Sequence, residues 1–431
     1  MPSTTQTSNR AALTVSVSSS ILLLPYARWP QGVFLTLALL GLVQLAWLVA
    51  LRRRRGLARL LLLSLSATLA LTLGEALAAW RWPITPYRIV PTEECVAEDL
   101  YLDDPALGRV LAPNFSGRFL HPEYAAELFE TNSDGFRDEE WPTSVVPGDA
   151  RVLLLGDSTC VGFGVSGSQT IAARLEEQLS ARLPKVRVFN AAVASYGPRH
   201  ERILLERFGE RLQPTHVVVV FYDGNDLQNC RAQFVVERKS GLHDLRLASE
   251  GPGPDPLPVA GRAPSLLSRW YWARRSALYN RLETACMPWL TENGIFKHHA
   301  YRGMLLSSRK EPEGSVQEEL DLARQAILGM SQQCERLGAE LLFVRMPMRL
   351  QTEVASFEQI AGVYGEDSAA LDRDLPGRTL LEFCRDQGIR ALDLLPVFEI
   401  PGRGPNSHYF VEGHPNAQGN RVAAEQIARA L

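Results

Sequence analysis

The stretch LLLGDSTCVGFGVSG at 153–167 offers two incompatible chemistries. Ser158 follows an apolar run, where a strand-to-helix turn would lift its hydroxyl out of the fold. Gly162, Gly164 and Gly167 are spaced G-x-G-x-x-G, the pattern that cradles a dinucleotide phosphate. That cradle needs its glycines in the turn itself and an acidic residue ending the next strand. Here the triplet begins six residues past Gly156, and the next apolar run ends in Asn190, so the glycines read as a flexible rim instead. The serine needs partners: an imidazole to take its proton and an acid to orient that imidazole. HYFVEGHPNAQG at 408–419 offers His414 as the base and Glu412 as the acid. Fixed donors for an oxyanion are available from the Ser158 backbone N–H, a backbone N–H in NAAVASYG at 190–197, and the Asn225 amide in YDGND at 222–226.

The elements that must position these groups are legible in the hydrophobic pattern. Apolar runs at 151–155, 186–189, 216–221, 340–344 and 389–394 are short and continuous, as buried parallel strands are. Amphipathic helical segments at 170–183, 200–212, 316–338, 379–388 and 416–431 separate and follow them. The alternation predicts an α/β fold: a three-layer α/β/α sandwich around a central parallel sheet of about five strands, of the flavodoxin-like kind. Ligands of such sheets bind beyond the carboxyl ends of the strands, where the GDST, NAAVASYG and YDGND loops lie. Residues 227–315, rich in Arg, Trp and Pro, are too long for a connection and read as an insertion.

Two apolar runs, 33–51 and 60–80, are each long enough to cross a bilayer as a helix, and RRRRGLAR at 52–59 lies between them. Five arginines on that loop set it on the cytoplasmic side and leave the rest of the chain extracytoplasmic. Glu75, near the end of the second run, is expected at the interface, and 11–27 is a weaker third apolar segment. The chain thus divides into a membrane anchor at 1–82 with two or three transmembrane helices, a linker and extension at 83–150, and a catalytic domain at 151–431. A net charge of −3, from 45 basic and 48 acidic residues, gives no reason to expect a nucleic-acid partner. All six cysteines follow the second run, so disulfides are permitted there. The adjacent His298 and His299 have no further ligands at metal spacing, and no metal or organic cofactor is implied.

GDST at 156–159, N-x-x-x-x-S-x-G at 190–197, GND at 224–226 and E-G-H-P-N-x-x-G at 412–419 resemble, in order, the four sequence blocks of the SGNH, or GDSL, hydrolases. NSDGFRDEEW at 132–141 and the apolar spans are similar to the membrane-anchored bacterial branch of that superfamily. The resemblance implies Ser158 as nucleophile, His414 as base, and Ser158, Ser195 and Asn225 as oxyanion-hole donors. Two positions depart from the family pattern: Ser195 stands where glycine is usual, and Glu412 where the acid is usually Asp. The implied activity is that of a serine esterase or deacetylase, acting through an acyl-enzyme on an O-acylated carbohydrate or similar ester. An O-acyltransferase acting on an envelope polysaccharide, or a non-catalytic glycan-binding relative, would share the same blocks. Asp157 is expected to organise its own turn and His408 to lie at the surface.

Overall fold

The structure, a computed structural model, describes residues 40–48, 55–81, 88–92, 95, 99–120, 127–142, 148–183, 185–231, 234–237, 244–247, 299–311, 314–399, 408–410 and 413–431. They fall into two compact units, one drawn from 1–86 and 258–289 and the other from 87–257 and 290–431.

In the first unit a helix runs from Arg55 to Arg81, and its Ala58–Ala78 section is long and apolar enough to cross a membrane. Leu60, Leu62, Leu63, Leu69, Leu71, Leu73 and Leu77 are all exposed along it. Residues 40–48 of the earlier apolar run are also helical, and Gln44 Nε2 donates to Ser64 Oγ at 2.9 Å. The rest of that run, and the segment 11–27, lie outside the described residues. Glu75 is buried rather than turned out to an interface, at 4% exposure.

The second unit is built on five strands: β1 (Ala150–Leu155), β2 (Val186–Asn190), β3 (His216–Tyr222), β4 (Glu340–Met346) and β5 (Arg390–Asp393). Their order is β5-β4-β3-β1-β2, and every pairing is parallel, with Leu153 opposite Val217 and Val219 opposite Phe343. The alternation read from the sequence is borne out, with strand ends moved by one or two residues. Val217–Phe221 is buried throughout, which an alternating strand would not be. Helices cover both faces, so every side chain of a central strand meets protein. Sequence order reverses between β1 and β3, and ligands of open parallel sheets bind beyond the strand ends at such a switch point.

The connecting helices are α1 (Ser158–Val161), α2 (Ile171–Ser180), α3 (Pro198–Leu212), α4 (Asp226–Asn229), α5 (Gly314–Leu337), α6 (Gly377–Asp386) and α7 (Ala417–Ala430). Residues 87–149 belong to the same unit. They form a three-stranded antiparallel sheet (Arg88–Pro91, Ser116–Leu120, Leu128–Glu130) and a hairpin of Tyr101–Asp104 with Gly108–Leu111. Phe115, Phe119, Phe129, Phe136 and Trp141 from this segment enter one apolar core with β1–β4. Arg207 and Arg211 of α3 also bind Asp104 and Asp134 of the segment, each through two oxygens at 2.7–3.1 Å. These pairs are partly solvated and contribute at most about 1 kcal/mol each, whereas burying one large apolar side chain contributes about 1.5–3 kcal/mol. The aromatic side chains, not the ion pairs, hold the segment down. Among the described residues, Cys160, Cys230, Cys334 and Cys384 are not joined in disulfides, and Cys95 Sγ accepts from the Ser116 N–H at 3.2 Å; Cys286 lies outside the described residues.

Candidate active site

Ser158 opens α1 directly beyond β1, and from Val152 to Phe163 it is the one residue not fully buried. Asp157 caps the helix: its Oδ1 accepts the Thr159 backbone N–H at 2.8 Å and the Thr159 hydroxyl at 2.8 Å. Its Oδ2 accepts the Ser158 hydroxyl at 3.2 Å. The turn-organising role expected of Asp157 is present, and the carboxylate also meets the candidate nucleophile. Burial pushes this carboxyl above its ordinary range; the hydrogen bonds from Thr159, the nearby His414 and the Ser158 bond act in the opposite direction. A Cβ on Gly156 would stand 2.7 Å from Cys160 Sγ, so glycine lets α1 fold back tightly onto the end of β1.

Ser195 lies in the loop after β2 and is the one partly exposed residue between Val188 and Pro198. Its φ is +61°, the left-handed region that favours glycine. The chain has therefore kept the backbone conformation of a glycine position while carrying serine there, at a strain of about 1–2 kcal/mol. The loop is braced from upstream: Arg109, itself buried, donates to the Ala194 carbonyl at 2.5 Å, and the Tyr196 hydroxyl donates back to the Arg109 carbonyl. Asn190, the residue that fails the nucleotide test, has its own task. Its Nδ2 donates to the carbonyls of Arg137 and Cys160 at 3.2 and 3.3 Å, tying β2 to the segment behind Ser158.

Asn225 caps α4 beyond β3 and is partly exposed, between the buried Gly224 and Asp226. Asp223, at the start of this loop, is fully buried and accepts from Arg345 Nε at 2.7 Å and Gln351 Nε2 at 2.8 Å. Burial pushes the Asp223 carboxyl up, and the Arg345 charge is the largest effect opposing it. Arg345 comes from the end of β4 and reaches Asp393 of β5 at 3.3 Å, so one guanidinium links three strand ends. Nothing in the local pattern RMPMR distinguishes this arginine from a solvated one.

His414 is partly exposed in the turn before α7, its carbonyl accepting from the Phe410 N–H at 2.8 Å. Its ring meets the Phe163 ring at 5.7 Å and 90°, and its charge reaches Asp157. Asn416 fixes the turn by accepting from the backbone of Gln418 and Gly419, each at 3.0 Å. Ser158, Ser195 and Asn225 thus stand at the carboxyl ends of three adjacent strands, with His414 brought to Asp157 from the chain's last turn. Glu412 lies outside the described residues. His408 is buried, contrary to the surface position expected of it, with its ring 4.9 Å from that of Phe398.

Two of the three glycines downstream of Ser158, Gly162 and Gly164, are set by backbone conformation and not by a need for a flexible rim. Gly162 and Gly164 both have φ of +79°, which an L side chain rarely adopts, and Gly162 is buried against Thr170 and Arg137. Their function is backbone handedness.

Residues 154–287 match the GDSL-like Lipase/Acylhydrolase family. The chain carries a GDSL-like lipase/acylhydrolase domain, and the match supports an ester-hydrolysing enzyme. The matched span contains Ser158, Ser195 and Asn225 and ends before His414. No curated protein matches the sequence. Among solved structures, the chain is similar to the crystal structure of TesA at 14% identity, over 65% of this chain and 98% of that one, with a TM-score of 0.32. It is similar at 12% identity to an acetylxylan esterase from Geobacillus stearothermophilus, over 67% and 95%, with a TM-score of 0.34. A two-domain esterase active on acetylated mannans matches at 10% identity, over 65% and 48%, with a TM-score of 0.33.

Two sets of residues near the candidate site were not singled out as site residues from the sequence. Arg137, in the NSDGFR motif, reaches the loop after Ser158. Glu201 of α3 is fully buried, and neither of its oxygens has a partner among the described residues; one oxygen of the buried Asp226 is likewise unpartnered. Arg137 had a signal, the quoted motif itself, whereas Glu201 sits in HERILLERF, a sequence typical of a solvated helix.

Proposed function

We propose that this chain is a membrane-anchored, extracytoplasmic serine esterase of the SGNH type, removing short acyl groups from an O-acylated carbohydrate or similar ester. Ser158 attacks the ester carbonyl, His414 takes the hydroxyl proton and later delivers it to the leaving alcohol, and water then releases the acyl group from the acyl-enzyme. The Ser158 and Ser195 backbone N–H groups and the Asn225 amide are the donors toward the oxyanion. Glu412 is the proposed acid for His414.

The observation that carries this reading is the exposure pattern: Ser158, Ser195 and Asn225 are each the partly exposed member of a buried loop, all at one end of the parallel sheet. The exposed leucines of the Arg55–Arg81 helix and the arginines at 52–59 support anchorage with the arginine loop inside. The test uses the whole chain in detergent with 4-nitrophenyl acetate and an acetylated oligosaccharide. Turnover of both is expected, and Ser158→Ala is expected to abolish it. Undiminished turnover in Ser158→Ala would refute the serine mechanism. Acyl release that needs an added sugar acceptor would assign the chain to acyl transfer instead.

A further inference from the structure

We propose that Arg137 and Phe163 are positioning residues for the His414 imidazole, supplied by the segment upstream of the sheet; this rests on reading Ser158 and His414 as nucleophile and base. Arg137 is buried, at 6% exposure, yet the hydrogen bonds of its guanidinium go to backbone carbonyls. It donates to Val161 at 3.1 Å, to Gly162, to Val165 at 2.8 Å and to Leu128 at 3.2 Å. Burial pushes its pKa down to about 10, with the Glu127 charge opposing. A charge held among carbonyls is a costly way to stabilise a fold. What it secures is geometric: the planar fork fixes carbonyls on both sides of Phe163, in a loop with few regular hydrogen bonds of its own.

Phe163 is in turn held as a wall. Its ring stacks on Phe119 at 4.7 Å and 16° and on Phe129 at 5.9 Å and 23°, while the Arg137 guanidinium lies 4.8 Å over the Phe129 ring. Gly162 and Gly164, both in the left-handed region, bend the chain on either side of Phe163. The wall then meets the imidazole perpendicularly at 5.7 Å. His414 follows Gly413, whose φ is +111° and which has only the Tyr222 hydroxyl within 4 Å of a built Cβ. The Phe163 ring bounds the imidazole on the face it meets. Phe119, Phe129 and Arg137 all belong to residues 87–149, so the upstream segment is a working part of the site.

The decisive variant is Phe163→Leu, which leaves the Arg137 bonds to backbone in place and removes the ring facing His414; Arg137→Lys replaces the fork with a single ammonium. Both are measured in the full chain in detergent beside Ser158→Ala, with thermal melts confirming folding. A misplaced base should lower kcat by about 10- to 100-fold with KM little changed, and slow phosphonylation of Ser158 by a small fluorophosphonate in parallel. A role in folding alone would lower the melting temperature and leave kcat per folded molecule and phosphonylation at wild-type values. Folded Phe163→Leu with kcat and phosphonylation within about twofold of wild type overturns the proposal, whether or not Arg137→Lys folds. Retained turnover in Ser158→Ala would instead reject the underlying nucleophile assignment, so the two failures are distinct.

Discussion

Replacing Gly197 by alanine tests whether two of the proposed oxyanion donors are set by one close approach between loops. Gly197 follows the Ser195 loop at the start of α3, with φ of −139° and ψ of −178°, extended backbone that any residue adopts. Glycine is not needed there for its dihedral freedom. A Cβ built at this position would stand 2.5 Å from the Asp226 carbonyl oxygen and 3.3 Å from the Asn229 Cβ. Ordinary contact begins at 3.4 Å, so the two backbones would have to part by about 0.9 Å. Neither can yield cheaply: Asp226 is fully buried, with its Oδ2 accepting from the Tyr222 N–H at 2.7 Å. Overpacking of this kind costs about 1–3 kcal/mol of stability. The parting also separates the Ser195 backbone N–H from the Asn225 amide. Losing one oxyanion donor costs about 100- to 1000-fold in kcat, and a displacement near 1 Å costs about 100-fold, so a 10- to 100-fold fall in kcat is expected of a partial shift. The assay is hydrolysis of 4-nitrophenyl acetate by the whole chain in detergent, with urea unfolding in parallel. A Gly197→Ala enzyme that loses stability but keeps kcat within about twofold would refute the link between this approach and the oxyanion site.

Other expectations follow from the same geometry. Asn225→Ala should lower kcat by about 100- to 1000-fold with a small effect on KM, measured on the same ester; a raised KM with kcat unchanged would speak for a binding role instead. Burial pushes the Glu201 carboxyl well above its ordinary range, with the Asp157 charge second, and burial does the same to Asp226. A carboxyl raised in the folded state contributes stability that is fully present below its unfolded value, 4.5 for Glu201, and is lost as pH rises through the folded value. The urea midpoint should therefore decline as pH rises above that point, and Glu201→Gln should flatten the decline; an unchanged slope would show that this carboxyl does not ionise there. Gly362 is exposed in the helix Val354–Tyr364, with nothing within 4 Å of a built Cβ, so Gly362→Ala should add about 0.5–1 kcal/mol, read as a higher melting temperature. A lower melting temperature would show that the position has a contact the backbone geometry does not reveal.

The strands were legible because a parallel sheet covered on both faces demands unbroken apolar runs, and 151–155 and 216–221 are such runs. The candidate residues could be picked out because they occupy loops at strand ends, where short polar motifs such as GDST and GND interrupt the apolar runs. Ser195 was marked as a departure from a glycine, but that it keeps the left-handed backbone emerges only from the fold. Charged residues behind the site were harder to read. Arg345 and Glu201 occur in strings that would equally suit a wet surface, and only the packing of β4 and α3 buries them.

By itself, then, the sequence determined the α/β order and the apolar span at 60–80 and offered Ser158, Asn225 and His414 as candidates, all properties of local pattern. The tertiary structure decided that the upstream segment packs into the same core, that Arg137 holds carbonyls rather than a carboxylate, and that the glycines after Ser158 turn Phe163 toward His414. Those facts depend on which distant surfaces meet. A sequence read along one dimension specifies periodicity and turn chemistry, but the partner of a buried charge or an aromatic ring is set only when the chain closes on itself.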